Sequence, residues 1–221
     1  MAVRLIIFDL DGTLVDSIAD IASSLNTVIA PYVSEPVTAD ELKPFVGGGA
    51  IKLMTDLLTA KNVPLDRTAV AKIFVEHYAN HLTDRTLPYP GVIETLEKLV
   101  DQKKAVLSNK LTHLTKSILG QLGLARFFEY VAGGDSSPEK KPSAAPVLRA
   151  LEHFGMSADE ALMVGDSLYD IEAGRAAGVK TVAALYGYGQ GDFAARADFT
   201  IRQFRELLEI VKRLTPTDPS H

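Results

Sequence analysis

Asp9 and Asp11 stand two residues apart directly after the apolar run Leu5-Ile6-Ile7-Phe8. Ser108 and Asn109 follow a second such run, Ala105-Val106-Leu107, and Asp166 follows a third, Leu162-Met163-Val164-Gly165, with Asp170 four residues on. Lys141 comes after a loop beyond a further run that starts at Tyr130. Several carboxylates in one place repel each other, so some must hold protons or a cation must come between them. Magnesium suits that cluster, because it takes hard oxygen ligands and keeps room for waters and a substrate phosphate. A lysine and small hydrogen-bonding side chains beside the ion would neutralise and hold a transferring phosphoryl group.

The elements that must position these groups are legible as short apolar runs alternating with helical patterns. Candidate strands cover 3–8, 104–108, 130–133, 161–165, 181–185 and 199–201. They are continuously apolar, as in strands buried on both faces of a parallel sheet. Helical spacing covers 92–100, 114–122, 144–154 and 171–177, with Gly123, Gly155 and Gly178 as stop signals just past the ends of the last three. Strand and helix repeated in this way predict a doubly wound, Rossmann-like α/β domain. Ligands of such sheets bind beyond the carboxyl ends of the strands. The polar residues named above fall there.

One interval departs from the alternation. From Ser17 to Arg85 the patterns are helical throughout, including a capping box at Thr38 and Glu41. It reads as an inserted all-helical domain (17–85), with the core formed by 1–16 and 86–221. The prolines of Leu87-Pro88-Tyr89-Pro90-Gly91 force extended backbone at the second border. Thr215 to His221 reads as a frayed tail.

Composition narrows the function classes. The chain has 221 residues, 47% hydrophobic and 23% charged, as in an ordinary globular protein. Its net charge of −5 argues against a broad nucleic-acid surface. The absence of cysteine excludes disulfides, thiolate nucleophiles and cysteine zinc sites. No apolar stretch reaches the roughly 18 residues of a membrane span. The expectation is a cytoplasmic monomer or weak homodimer whose partner is a small molecule. Taken singly, each motif has an ordinary reading too. Asp-x-Asp-Gly-Thr can be a plain turn, and Lys140-Lys141 a solvated pair. His77 and His81, four apart on a predicted helix, read as surface histidines rather than a metal pair.

In combination and in this order, the motifs resemble the haloacid dehalogenase superfamily, and within it the phosphoglycolate phosphatase-like branch. Phe8-Asp9-Leu10-Asp11-Gly12-Thr13-Leu14-Val15-Asp16-Ser17 resembles its first motif and Ser108-Asn109-Lys110 its second. Lys141-Pro142 resembles the third and Gly165-Asp166-Ser167-Leu168-Tyr169-Asp170 the fourth. The helical block sits where that family inserts its cap.

The resemblance implies roles. Asp9 is the nucleophile that forms an aspartyl-phosphate, and Asp11 the acid and then the base. Lys141 pairs with the nucleophile and phosphate. Magnesium is held by Asp9, the Asp11 backbone carbonyl and Asp166, with Asp170 in support. Thr13, Ser108 and Asn109 form the phosphate-binding group, Thr13 tying its loop down through the hydroxyl. The cap loop Val46-Gly47-Gly48-Gly49 with Lys52 resembles the glycine-rich loop of phosphoglycolate phosphatases, so Gly48 and Lys52 are expected to meet a substrate carboxylate. Tyr186-Gly187-Tyr188-Gly189 is expected to line the entrance. The third motif lacks the frequent Lys-Pro-x-Pro form, which leaves Lys140 as a conceivable substitute for Lys141. The implied reaction is magnesium-dependent hydrolysis of 2-phosphoglycolate. A β-phosphoglucomutase-like transferase, a pyrophosphatase and a non-catalytic phospho-ligand sensor are the alternatives.

Overall fold

The structure is a computed structural model that describes residues 2–215. Its strands are β1 (Leu5–Phe8), β2 (Val15–Asp16), β3 (Leu87–Pro88), β4 (Lys103–Leu107), β5 (Tyr130–Ala132), β6 (Ala161–Gly165), β7 (Lys180–Ala184) and β8 (Phe199–Ile201). Its α-helices are α1 (Ile18–Ile29), α2 (Ala39–Leu42), α3 (Ala50–Ala60), α4 (Arg67–Tyr78), α5 (Val92–Lys98), α6 (Thr112–Gln121), α7 (Ala145–Phe154), α8 (Leu168–Ala176) and α9 (Leu207–Leu214).

Six strands form one parallel sheet in the order β5-β4-β1-β6-β7-β8. Strand β1 is central and every residue of it is fully buried. Its side chains alternate between the faces, Ile6 and Phe8 joining one core cluster and Leu5 and Ile7 the other. Each such burial is worth about 1.5–3 kcal/mol, so this short strand can anchor the sheet. Helices α5, α6 and α9 contribute to the first cluster, α7 and α8 to the second. The result is the doubly wound three-layer arrangement that the alternating pattern predicts. The two neighbours of β1 lead away in opposite directions, so a crevice opens beyond its carboxyl end.

Helices α1 to α4 lie between β2 and β3, and their apolar residues, among them Leu25, Leu42, Met54 and Phe74, join the core cluster of Phe8. The Thr38–Glu41 capping box opens α2, with Thr38 N–H donating to Glu41 Oε2 at 2.9 Å and Glu41 N–H to Thr38 Oγ1 at 3.2 Å. Strands β2 and β3 were not expected. They pair antiparallel, Val15 with Pro88 and Asp16 with Leu87, at the two borders read from the sequence. Two-residue strands carry no periodicity, which is why only the prolines marked the second of them. Thr215 Oγ1 accepts a hydrogen bond from Val3 N–H at 3.0 Å, and the rest of the expected tail lies outside the described residues. Among the described residues, no helix is long and apolar enough to cross a membrane.

Candidate active site

Asp9 is the first residue beyond β1, and its N–H donates to Val164 of β6 at 2.9 Å. The chain then turns sharply, Thr13 and Leu14 donating their N–H groups to Leu10. Gly12 makes the turn possible. Its φ is +82°, and a Cβ there would stand 2.2 Å from Asp166 Oδ2.

Lys141 is buried between two carboxylates, its Nζ 2.8 Å from Asp9 Oδ1 and 2.6 Å from Asp170 Oδ1. A third N–H donates to the Leu107 carbonyl at 2.6 Å, which satisfies the ammonium. Burial pulls this ammonium toward neutrality, but Asp170 and Asp9 outweigh it and hold it above the usual lysine range. Burial, then Asp170, push the Asp9 carboxyl up to about 7 against the pull of Lys141. Asp170 is fixed from its other side by Ser167, whose N–H and Oγ donate to Oδ2 at 3.0 and 2.6 Å as α8 begins.

Asp166 follows β6 and is also buried. Thr13 Oγ1 donates to its Oδ1 at 3.0 Å and Tyr188 N–H to its Oδ2 at 2.7 Å. Thr13 is fully buried and spends its hydroxyl on this carboxylate, so it holds Asp166 and does not face a phosphate. Tyr188 is buried as well, and with Gly189 it lines a smaller cavity of about 130 Å³ that Asp11, Asp166 and Gly47 share. Its hydroxyl accepts the N–H groups of Ser17 and Ile18 at 2.7 and 3.0 Å, where α1 begins, and donates to Asp16 at 2.9 Å. Tyr186 Oη donates to the Thr13 carbonyl at 2.9 Å.

Asp11 points away from this group. Its Oδ1 accepts Ser17 Oγ at 2.5 Å and Lys110 Nζ at 2.8 Å. Lys110 also donates to Tyr78 Oη on α4 at 2.9 Å. Burial draws its ammonium down, while Asp11 and Tyr78 more than restore it.

Asp9, Asp11, Ser108, Asn109 and Lys110 line one cavity of about 420 Å³, walled opposite by α3 and α4. Ser108 is buried in its wall, and its Oγ accepts Lys110 N–H at 3.2 Å. The Asn109 side chain donates to the carbonyls of Gly47 and Lys141 at 2.8 and 2.9 Å, and its oxygen accepts Lys141 N–H at 3.0 Å. These bonds occupy the amide in tying the helical segment's loop to the lysine, so the side chain is a brace rather than a phosphate ligand. Lys140 donates instead to the Gly48 carbonyl at 2.6 Å. Lys141 is therefore the lysine beside Asp9, and Lys140 secures the loop. Gly48 offers that loop contact, while Lys52 pairs with Asp56 at 2.7 Å on the exposed side of α3 and does not line the cavity. His81 pairs with Asp84 at 2.8 Å and stacks on His77, and neither lines the cavity.

Residues 6–184 match the family described as haloacid dehalogenase-like hydrolase. The chain belongs to that family. Among curated relatives of this haloacid dehalogenase-like hydrolase, one from Aquifex aeolicus called phosphoglycolate phosphatase is 40% identical, covering 94% of this chain and 96% of its own. Another of the same name, from Chromobacterium violaceum, is 36% identical over 95% and 97% of the two chains. A crystal structure from Haemophilus somnus 129PT, described as a predicted phosphoglycolate phosphatase, superposes with a TM-score of 0.86 at 31% identity, covering 94% of this chain and 97% of the other.

The donor set of this hydrolase fits a divalent cation. Asp9, Asp166 and Asp170 are buried and can each bring one carboxylate oxygen within 4.8 Å of the others. All are hard donors, and Lys141 alone supplies positive charge against them. Burial, then Asp170 and Asp9, raise the Asp166 carboxyl well above the carboxylate range, a load that a cation would relieve. Tyr78 was not singled out from the sequence, and Ser17, Lys110 and Tyr188 were named within motifs but without the contacts they make here. Lys110 was visible next to Ser108-Asn109, but nothing in the linear pattern says which way a loop side chain turns.

Proposed function

We propose that this protein is a magnesium-dependent phosphatase that hydrolyses a small phosphate monoester through an aspartyl-phosphate, with 2-phosphoglycolate as its substrate. The carrying observation is that Asp9, held by Lys141, and Asp11, held by Ser17 and Lys110, line the same cavity with different partners. Two carboxylates in different surroundings can take different roles. The names of the Aquifex and Chromobacterium relatives support the choice of ester.

The Asp9 carboxylate attacks phosphorus as the ester oxygen leaves, and that oxygen takes a proton from the Asp11 carboxyl. Asp11, now ionised, removes a proton from water, which breaks the aspartyl-phosphate and returns Asp9 with release of phosphate. Lys141 keeps Asp9 oriented and offsets the negative charge gathering beside it. Ser108, which lines the cavity, supplies a hydroxyl to the phosphate oxygens. Asp9, Asp166 and the Asp11 carbonyl would hold magnesium, with Asp170 supporting through Lys141. When bound, the ion supplies charge neutralisation at the phosphoryl group. Residues 17–85 act as a cap over the core of 1–16 and 86–221, and their closure excludes water from the intermediate.

The test is phosphate release from a panel of monoesters that includes 2-phosphoglycolate, with and without magnesium, alongside Asp9→Asn. Magnesium-dependent release that favours 2-phosphoglycolate and vanishes in the variant is expected. Equal rates across the panel would refute the substrate, and turnover by Asp9→Asn would refute the nucleophile.

A further inference from the structure

The cation expected to read the leaving group, Lys52, faces solvent and is paired with Asp56. A different lysine occupies the place where such a reader must sit. Lys110 lines the cavity, its side chain is 9% exposed, and it lies 2.8 Å from Asp11 Oδ1 and 2.9 Å from Tyr78 Oη. An ammonium has three N–H donors. Asp11 and Tyr78 take two, and the third has no hydrogen-bond partner among the described residues. Lys140 also lines the cavity, but its hydrogen bond goes to the Gly48 carbonyl and none goes to Asp11 among the described residues, so it is not placed beside the proton donor.

We propose that Lys110, braced by Tyr78, is the specificity-determining residue that binds the carboxylate of the leaving group. This inference rests on the phosphatase reading, since it takes Asp11 as the group that protonates the ester oxygen. A proton donor must lie within about 3 Å of that oxygen. The ammonium, one contact further on, is then within about 6 Å of it. A carboxylate two bonds from the ester oxygen, the geometry of an α-hydroxy acid, falls within reach of the third N–H. A carboxylate several carbons further out would pass it. The apolar side chains around the site, Ile21, Leu114 and Phe74, exclude water and strengthen that ion contact. Tyr78 stacks on Phe74 at 5.5 Å between ring centres, which fixes the hydroxyl that holds the lysine. The carboxylate would thereby sit where the loop after β4 already meets α4 through the Lys110–Tyr78 hydrogen bond.

The experiment compares kcat/KM for 2-phosphoglycolate, 2-phospholactate and ethyl phosphate in the magnesium-loaded wild type, Lys110→Met and Lys110→Arg. Lys110→Met is expected to lower the preference for carboxylated over uncharged ester by about 10- to 100-fold, the worth of one charge-assisted hydrogen bond. Most of the loss falls in KM, and Lys110→Arg retains most of the preference. Damage to Asp11 or to folding would instead slow all three esters alike, so an unchanged ratio in Lys110→Met overturns the subsite and leaves the phosphatase standing. A wild type that prefers 2-phospholactate, with that preference lost in Lys110→Met, supports the subsite and overturns 2-phosphoglycolate as the substrate. No preference for carboxylated esters in the wild type overturns the subsite outright.

Discussion

Magnesium removal combined with a pH titration probes the electrostatics of the site directly. In the metal-free protein Asp9 has a carboxyl raised from an ordinary 3.8 to about 7, first by burial and then by Asp170. The folded state therefore binds this proton more tightly than the unfolded chain does. Its stabilisation is complete below about pH 4 and is lost as the pH rises through about 7. A shift of about three pH units corresponds to roughly 4 kcal/mol, and about 2–3 kcal/mol of that falls between pH 5 and 7. In a chain of this size the latter is a drop of roughly 5–10 °C in Tm. Asp166, raised for the same reasons, adds to the fall. Other groups titrate over this range too, so the quantity to follow is wild type minus Asp9→Asn, which lacks the charge at every pH. Melting in chelator from pH 5 to 8 is expected to show the two proteins converging in acid and the wild type falling behind above pH 7. Magnesium closes that gap, so it stabilises the wild type more at pH 8 than at pH 6. A difference that is flat with pH, or one in which the wild type loses ground in acid, would refute the picture of buried uncompensated carboxylates.

Three further perturbations address separate parts of the molecule. Gly12→Ala must push a Cβ into Asp166 at a left-handed φ, so magnesium-dependent turnover is expected to fall at least 100-fold, as read by phosphate release. Asp20, buried in α1, accepts Arg85 N–H, Thr86 N–H and Thr86 Oγ1 through one oxygen, and Asp20→Ala leaves those donors unpaired at a cost of about 2–4 kcal/mol in urea unfolding. Lys52→Ala removes only an exposed pair, so stability is expected to change by less than about 0.5 kcal/mol and kcat/KM by less than twofold.

The sheet was legible because β1 and β6 are unbroken apolar runs, β4 and β7 end in one, and β1 packs its four residues alternately into both cores. The edge where the polar residues gather followed from the same runs, since parallel strands share a direction. Details of the site were less legible where a backbone turn decides the contact. Thr13 sits in the expected loop, yet its hydroxyl goes to Asp166. Asn109 follows β4 as expected, but it braces Gly47 and Lys141. Lys52 and Lys110 could not be ranked from spacing, because one faces Asp56 along its own helix and the other folds under a tyrosine 32 positions away. Strands β2 and β3 are too short to carry a pattern at all.

Tyr188 divides its two attachments between separable atoms. Its backbone nitrogen serves Asp166, and its ring oxygen serves the start of α1. Loss of the hydroxyl alone releases the helix and spares the carboxylate, whereas loss of the N–H does the reverse. Inheritance can therefore adjust the stiffness of the joint by one oxygen atom, through a change to phenylalanine, without retuning the chemistry beside it.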